Sequence, residues 1–197
     1  MRIFIAVLSI SFLIIGVLIM SLNGCAPSFI YKSHECKDPD IGISSLDYLE
    51  DWKIAESRGS YGSYAQIQFI EWGRRDATAV ASMSFTAQKI GGPGVPATLD
   101  SAVEDLIKKR MLLKDAKILS KTRLKLLGEN AASIDISYTG LDMPYTKQEK
   151  SVKMREQVIL LYKGAKSYLF SFEDAESGFG RYDKAFIHIV KSIKFKD

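Results

Sequence analysis

Alternation of apolar and polar positions organises most of the chain. From Tyr64 to Trp72, Ala65, Ile67 and Phe69 alternate with Gln66 and Gln68, a period of two that predicts a strand with one buried face. Beyond Gly73-Arg74-Arg75-Asp76, Ala77, Ala79, Ala81, Met83 and Phe85 oppose Thr78, Ser82, Ser84 and Thr86, so two strands joined by a four-residue connection should form an antiparallel hairpin. Glycines and prolines interrupt the pattern from Ile90 to Pro96. Leu99, Ala102, Val103, Leu106 and Ile107 then recur at helical spacing to about Leu113, with Thr98 as N-cap and Asp100 near the positive end of the helix dipole.

Alternation returns from Ala116 to Leu127, where Ile118, Thr122, Leu124 and Leu126 take one face and Lys117, Lys121, Arg123 and Lys125 the other. After the turn Gly128-Glu129-Asn130, Ala132, Ile134, Ile136 and Tyr138 continue it. Val152 to Tyr162 is the next strand, and Val158-Ile159-Leu160-Leu161 is apolar on both faces, which places it in mid-sheet. Lys163-Gly164-Ala165 turns the chain into a strand aligning Tyr168, Phe170 and Phe172. Phe179, Tyr182, Phe186, Ile189, Val190 and Ile193 describe a closing amphipathic helix, and Lys194-Phe195-Lys196 adds a short edge strand. Hairpin, helix, four antiparallel strands and helix make an α+β chain: an α/β/α sandwich on a mostly antiparallel sheet of about six to seven strands with two main helices.

The stretch Gly164 to Phe172, then Phe179, Tyr182, Phe186 and Ile189-Val190-Lys191-Ser192-Ile193-Lys194-Phe195, resembles the end of PsbP-like and bacterial DcrB-like domains. With the hairpin and the first helix in the same order, the resemblance covers residues 46–197. It implies the PsbP/Mog-type sandwich, whose members act mostly as assembly or binding accessories rather than enzymes. Its matching positions are core residues and turns, so no functional residue carries over.

The start of the chain follows a different logic. Arg2 precedes an apolar run from Ile3 to Met20, followed by Ser21-Leu22-Asn23-Gly24-Cys25. A basic start, an apolar middle and a small residue before a cut site make a secretory signal. Leu22, Asn23, Gly24 and Cys25 together resemble the lipobox of bacterial lipoproteins, which implies a chain cut before Cys25, with acyl chains on its sulfur and amino group. Residues 1–24 are then the signal peptide, 25–45 a tether of no clear period, and 46–197 the folded domain. The apolar run just reaches the length of a membrane-spanning helix, so an uncleaved anchor is the main alternative, with an ordinary cleaved signal behind it. Two or three acyl chains hold a protein on a membrane far more firmly than one.

Cleavage would leave 173 of the 197 residues, enough for one domain with a sizeable core, and loss of Arg2 would lower the net charge from +4 to +3. That mild balance permits attraction to anionic headgroups but does not point to nucleic acid. There are two cysteines. If acylation consumes Cys25, Cys36 is left as a free or intermolecular thiol; without acylation the two could close a short disulfide loop.

The chemistry-bearing residues are sparse. His34, Cys36, Asp38 and Asp40 fall at alternate positions, but that spacing is weak for zinc and reads better as a polar linker. Gly91, Gly92 and Gly94 lack the Lys-Ser/Thr of a phosphate loop, and Pro93 and Pro96 remove amide donors. Asp47, Glu50 and Asp51 read as solvated, and His188 lies off the apolar stripe of the last helix. No metal, cofactor or catalytic motif emerges. The best binding feature is the row Lys117, Lys121, Arg123 and Lys125, extended by Lys153 and Arg155 if their strands are neighbours, against a plain solvated face interleaved with Asp135 and Glu156. Its partner would be lipid headgroups or an acidic protein surface. The sequence therefore predicts a lipid-anchored, extracytoplasmic binding or assembly accessory of the cell envelope. An envelope enzyme, with a site near the 91–96 or 140–150 loops, and a structural spacer on an uncleaved anchor are the alternatives.

Overall fold

The computed structural model describes residues 28–59, 64–71, 81–142 and 150–196. The leader, Leu22, Asn23, Gly24 and Cys25, the turn at 73–76, Ala77 and Ala79, and most of the 140–150 loop lie outside the described residues.

Seven antiparallel strands form the main sheet: β3 (Trp52–Arg58), β4 (Ala65–Glu71), β5 (Ser82–Lys89), β6 (Lys117–Leu126), β7 (Glu129–Asp142), β8 (Lys150–Lys163) and β9 (Lys166–Ala175). Their spatial order is β3-β4-β5-β9-β8-β7-β6. After β5 the chain crosses one face through α1 (Leu99–Arg110), enters the far edge as β6, and meanders back to β9 beside β5. Two short helices, α2 (Glu176–Phe179) and α3 (Asp183–Ser192), follow, and Gly180 separates them where the periodicity predicts one continuous helix. The fold is the expected α+β sandwich.

One correction concerns the expected tether over 25–45. Tyr31–Glu35 is a strand, β1, paired in antiparallel register with β2 (Ile43–Leu49) from Tyr31↔Leu49 to Glu35↔Ser45. With β10 (Lys194–Phe195) they form a second, three-stranded sheet. Ile41, Ile43 and Leu46 are fully buried and supply the hydrophobic drive, while a 3-10 turn at Pro39–Ile41 hides the alternation. Strand β3, whose outward positions are mostly polar, is likewise absent from the sequence-based expectation.

Two cores flank the main sheet. Under α1, Ala102, Val103 and Leu106 pack on Ala132, Ile134, Ile136, Val158 and Leu160. On the other face the rings of Phe69, Phe85, Phe170, Phe172 and Phe186 are buried, with Phe85 and Phe170 edge-to-face at 5.0 Å. α3 and the small sheet cover that aromatic face: Tyr48 stacks on Phe69, and Phe195 meets Tyr168 at 5.0 Å. Where β2 follows the 3-10 turn, Gly42 has φ +67°, and a Cβ there would come within 2.6 Å of the Tyr168 Oη.

Candidate binding surface

β6 is an edge strand, and its row of basic residues is split between two faces. Ile118 lies opposite Ile136 but Ser120 lies opposite Asp135, so Leu119 is an unpaired bulge residue. One inserted residue swaps the faces of everything beyond it. Lys121 opposite Ile134, Arg123 opposite Ala132 and Lys125 opposite Asn130 therefore share the α1 face, whereas Lys117, opposite Ser137, sits on the other. The expected single row of four is thus three plus one, and Leu124 and Leu126 point away from Ile118. Arg123 is ion-paired with Asp100 on the first turn of α1. Lys153 and Arg155 lie on β8, separated from β6 by β7, and Arg155 is engaged by Asp135 at 2.9 Å. Exposed lysines on an edge strand also discourage edge-to-edge association.

The corner where α1 leads into β6 combines charge with apolar exposure. Thr98 caps the helix by accepting the Ser101 N–H at 3.2 Å, and Lys108, Lys109 and Arg110 close its last turn, where cations favour the dipole. Met111, Leu112 and Leu113 follow and are exposed, Leu112 at 86%. The corner is fixed. The Met111 N–H bonds the Ile107 carbonyl, the Thr139 N–H bonds the Lys114 carbonyl at 2.8 Å, and the Thr139 hydroxyl donates to Asp115.

Beneath it lies a half-buried polar cluster. Arg110 makes a two-pronged pair with Glu156, at 2.6 and 2.8 Å, and Glu156 is 3% exposed. Glu173 stands directly opposite Glu156 across β8 and β9 and accepts from the Tyr138 hydroxyl at 2.5 Å. Burial pushes the Glu173 carboxyl up, and the Glu156 charge adds to the rise against the opposing Tyr138 bond and Arg110. Burial likewise raises the Tyr138 phenol, followed by Glu173. Arg110 is thus the cation shared by two facing carboxylates.

A second feature is an open groove of about 610 Å³ lined by His34, Lys37, Asp38, Ile54, Glu56 and Arg58. Here the four residues weighed as metal ligands are put to other uses. His34 Nε2 is 2.7 Å from Glu56, whose carboxylate also accepts the N–H groups of Lys37 and Asp38. Burial raises the Glu56 carboxyl, but those two amides and His34 outweigh it and hold it below its usual value. Asp38 takes two bonds from Arg58, which hold its carboxyl low, and Asp40 is 3.2 Å from the same guanidinium. Cys36 is a free thiol, 7% exposed and pushed up to about 12 by burial, then by the Glu56 charge. Burial disfavours an intermolecular bond through it. Among the described residues no group of three ligating side chains converges on a metal position. The set staples the first strand to β3.

His188 is exposed as expected but held, stacked on Tyr31 at 4.0 Å and 3.2 Å from Asp47. Glu50 pairs with Lys32. Nothing in the hydrophobic pattern signals the Met111–Leu113 corner, because three apolar residues after a helix look like its continuation.

No protein-family model and no curated protein matches the sequence. Solved structures do. The solution structure of cyanobacterial PsbP (CyanoP) from Synechocystis sp. PCC 6803 aligns with a TM-score of 0.56 at 12% identity, covering 88% of this chain and 96% of that one. The chain has a PsbP/Mog1-type fold. The same fold is seen in LpqN of Mycobacterium tuberculosis, involved in cell envelope biogenesis (TM-score 0.55, 12% identity, 87% of this chain and 93% of that one). The Saccharomyces cerevisiae Ran-binding protein Mog1p also has it (TM-score 0.55, 12% identity, 86% of this chain and 97% of that one). At such identity the PsbP/Mog1-type likeness fixes architecture, and side chains such as Arg110 and Leu112 must be argued from this chain alone.

Proposed function

We propose that the protein is an extracytoplasmic lipoprotein, acylated at Cys25, whose PsbP/Mog1-type domain is a binding or assembly accessory of the cell envelope and not an enzyme. The observation that carries this reading is Leu22-Asn23-Gly24-Cys25, one residue after the apolar run from Ile3 to Met20. The roles of LpqN in envelope biogenesis and of Mog1p in binding Ran support an accessory that works by contact. The chemistry of the surface agrees. Among the described residues many charged groups are spent on one another, as in Arg110–Glu156, Arg155–Asp135 and Arg58–Asp38. An enzyme would best use the groove at His34, but Glu56 there already accepts from two backbone amides, which favours a staple.

The link between anchor and domain is short in this reading. Strand β1 begins six residues after Cys25, a reach of no more than about 20 Å. Metabolic labelling with a palmitate analogue in a bacterial host tests the proposal. The parent chain should incorporate label and Cys25→Ser should not; an unlabelled parent, or a labelled Cys25→Ser chain, contradicts it.

A further inference from the structure

We infer that the corner from Lys108 to Lys121 is a second membrane contact, in which Met111, Leu112 and Leu113 enter the headgroup region of an anionic bilayer. The inference rests on the lipoprotein reading for its setting, and on the corner's own chemistry for its content. Three consecutive apolar side chains are exposed at 48%, 86% and 37%, in the connection between α1 and β6. Leu119, the bulge residue, and Leu141 are also exposed and lie two residues beyond the points where the corner joins β6 and is bonded to Thr139 of β7. An apolar patch of this kind on an otherwise charged surface marks an interaction site.

The charge around it selects the occupant. Within 108–121, Lys108, Lys109, Lys114, Lys117 and Lys121 are all exposed and Asp115 is the one carboxylate of the segment, with Glu176 lining the same pocket as Asp115 and Lys117. Of the five, Lys109 meets an acidic neighbour, Asp105 of α1, one turn back. Apolar residues flanked by lysines are the composition of segments that lie in the interface of anionic membranes, with the apolar part about 5–10 Å deep and each lysine strengthening partitioning by roughly fivefold. The tip is held by the amides of Met111, Leu112 and Leu113, which donate to the Ile107, Lys109 and Arg110 carbonyls, and by the Thr139 N–H on the Lys114 carbonyl just beyond it. A short link from Cys25 would keep the domain near the same surface.

The test uses the full chain reconstituted in vesicles of phosphatidylcholine, or of phosphatidylcholine with phosphatidylglycerol, with brominated acyl chains as quencher. Leu112→Trp is compared with the parent, whose own Trp52 and Trp72 provide the background. Quenching of the added tryptophan in anionic vesicles supports the inference, provided that Lys108→Gln, Lys109→Gln and Lys114→Gln together shift the inserted-to-free equilibrium by on the order of 100-fold. Emission of the added tryptophan that stays unquenched in both vesicles overturns it, as does a blue shift that follows protein concentration instead of lipid, which would mean contact between copies. Flotation of the parent with both vesicle types reports the anchor separately. A chain that floats while its added tryptophan stays in water defeats this inference and leaves the lipoprotein reading standing.

Discussion

Removing Arg110 should expose the tension it relieves. In Arg110→Ala the carboxylates of Glu156 and Glu173, directly opposite one another on β8 and β9, lose their shared cation. Breaking a buried pair from one side costs about 3–5 kcal/mol. The Glu156 side chain is 4% exposed but that of Arg110 is 31% exposed, so water screens part of the interaction and the low end, about 3 kcal/mol, is expected. For a domain of this size that lowers Tm by about 6–12 °C.

The loss must depend on pH, and the sign follows from Glu173. Its carboxyl is raised above the ordinary 4.5 by burial and then by Glu156, with Arg110 opposing. A raised acid contributes stability that is complete below its unfolded value and is lost as pH rises through the folded one. Without Arg110 the folded value climbs further, so the deficit grows between pH 5 and pH 7.5. Urea unfolding of parent and variant at both pH values measures it, and Arg110→Met combined with Glu156→Met should recover most of the loss. A variant within about 0.5 kcal/mol of the parent, or an equal deficit at both pH values, refutes the reasoning.

Three further outcomes are expected. Gly42→Ala must hold φ +67° and place a Cβ 2.6 Å from the Tyr168 Oη, so urea unfolding should show a loss of about 1–3 kcal/mol. Cys36 should react with iodoacetamide at pH 8 only when the domain is unfolded in urea, because burial holds its thiol up at about 12; mass analysis showing rapid native labelling would contradict this. Phe172→Ala, which removes a ring packed at 4.5 Å on Phe179 and 5.8 Å from Phe186, should cost about 3–5 kcal/mol in the same unfolding measurement.

The central sheet was legible because its strands bury one face and show it: Ile67 and Phe69, Met83 and Phe85, Ile134 and Ile136, Phe170 and Phe172 all lie in the core where the period of two puts them. The α1 helix was legible from its stripe and cap. β1 was not, since Lys32, Ser33 and Glu35 are polar and its hold on the fold comes from a distant partner, His34 to Glu56. The bulge at Leu119 was invisible as well. Ile118 and Leu124 keep even spacing in the sequence, and only the β7 register reveals that they lie on opposite faces. A basic row read from that spacing therefore mixes two surfaces. The exposed corner at Leu112 is a property of where α1 stops, and the carbonyls and amides around Met111 decide that more than any periodicity does.

Intact mass spectrometry of the protein purified from bacterial membranes addresses the central claim most directly. The mature chain should begin at Cys25 and be heavier than its polypeptide by a diacylglyceryl group, with or without an added N-acyl chain. A chain that still begins at Met1, or one that begins at Cys25 with an unmodified thiol, would contradict it.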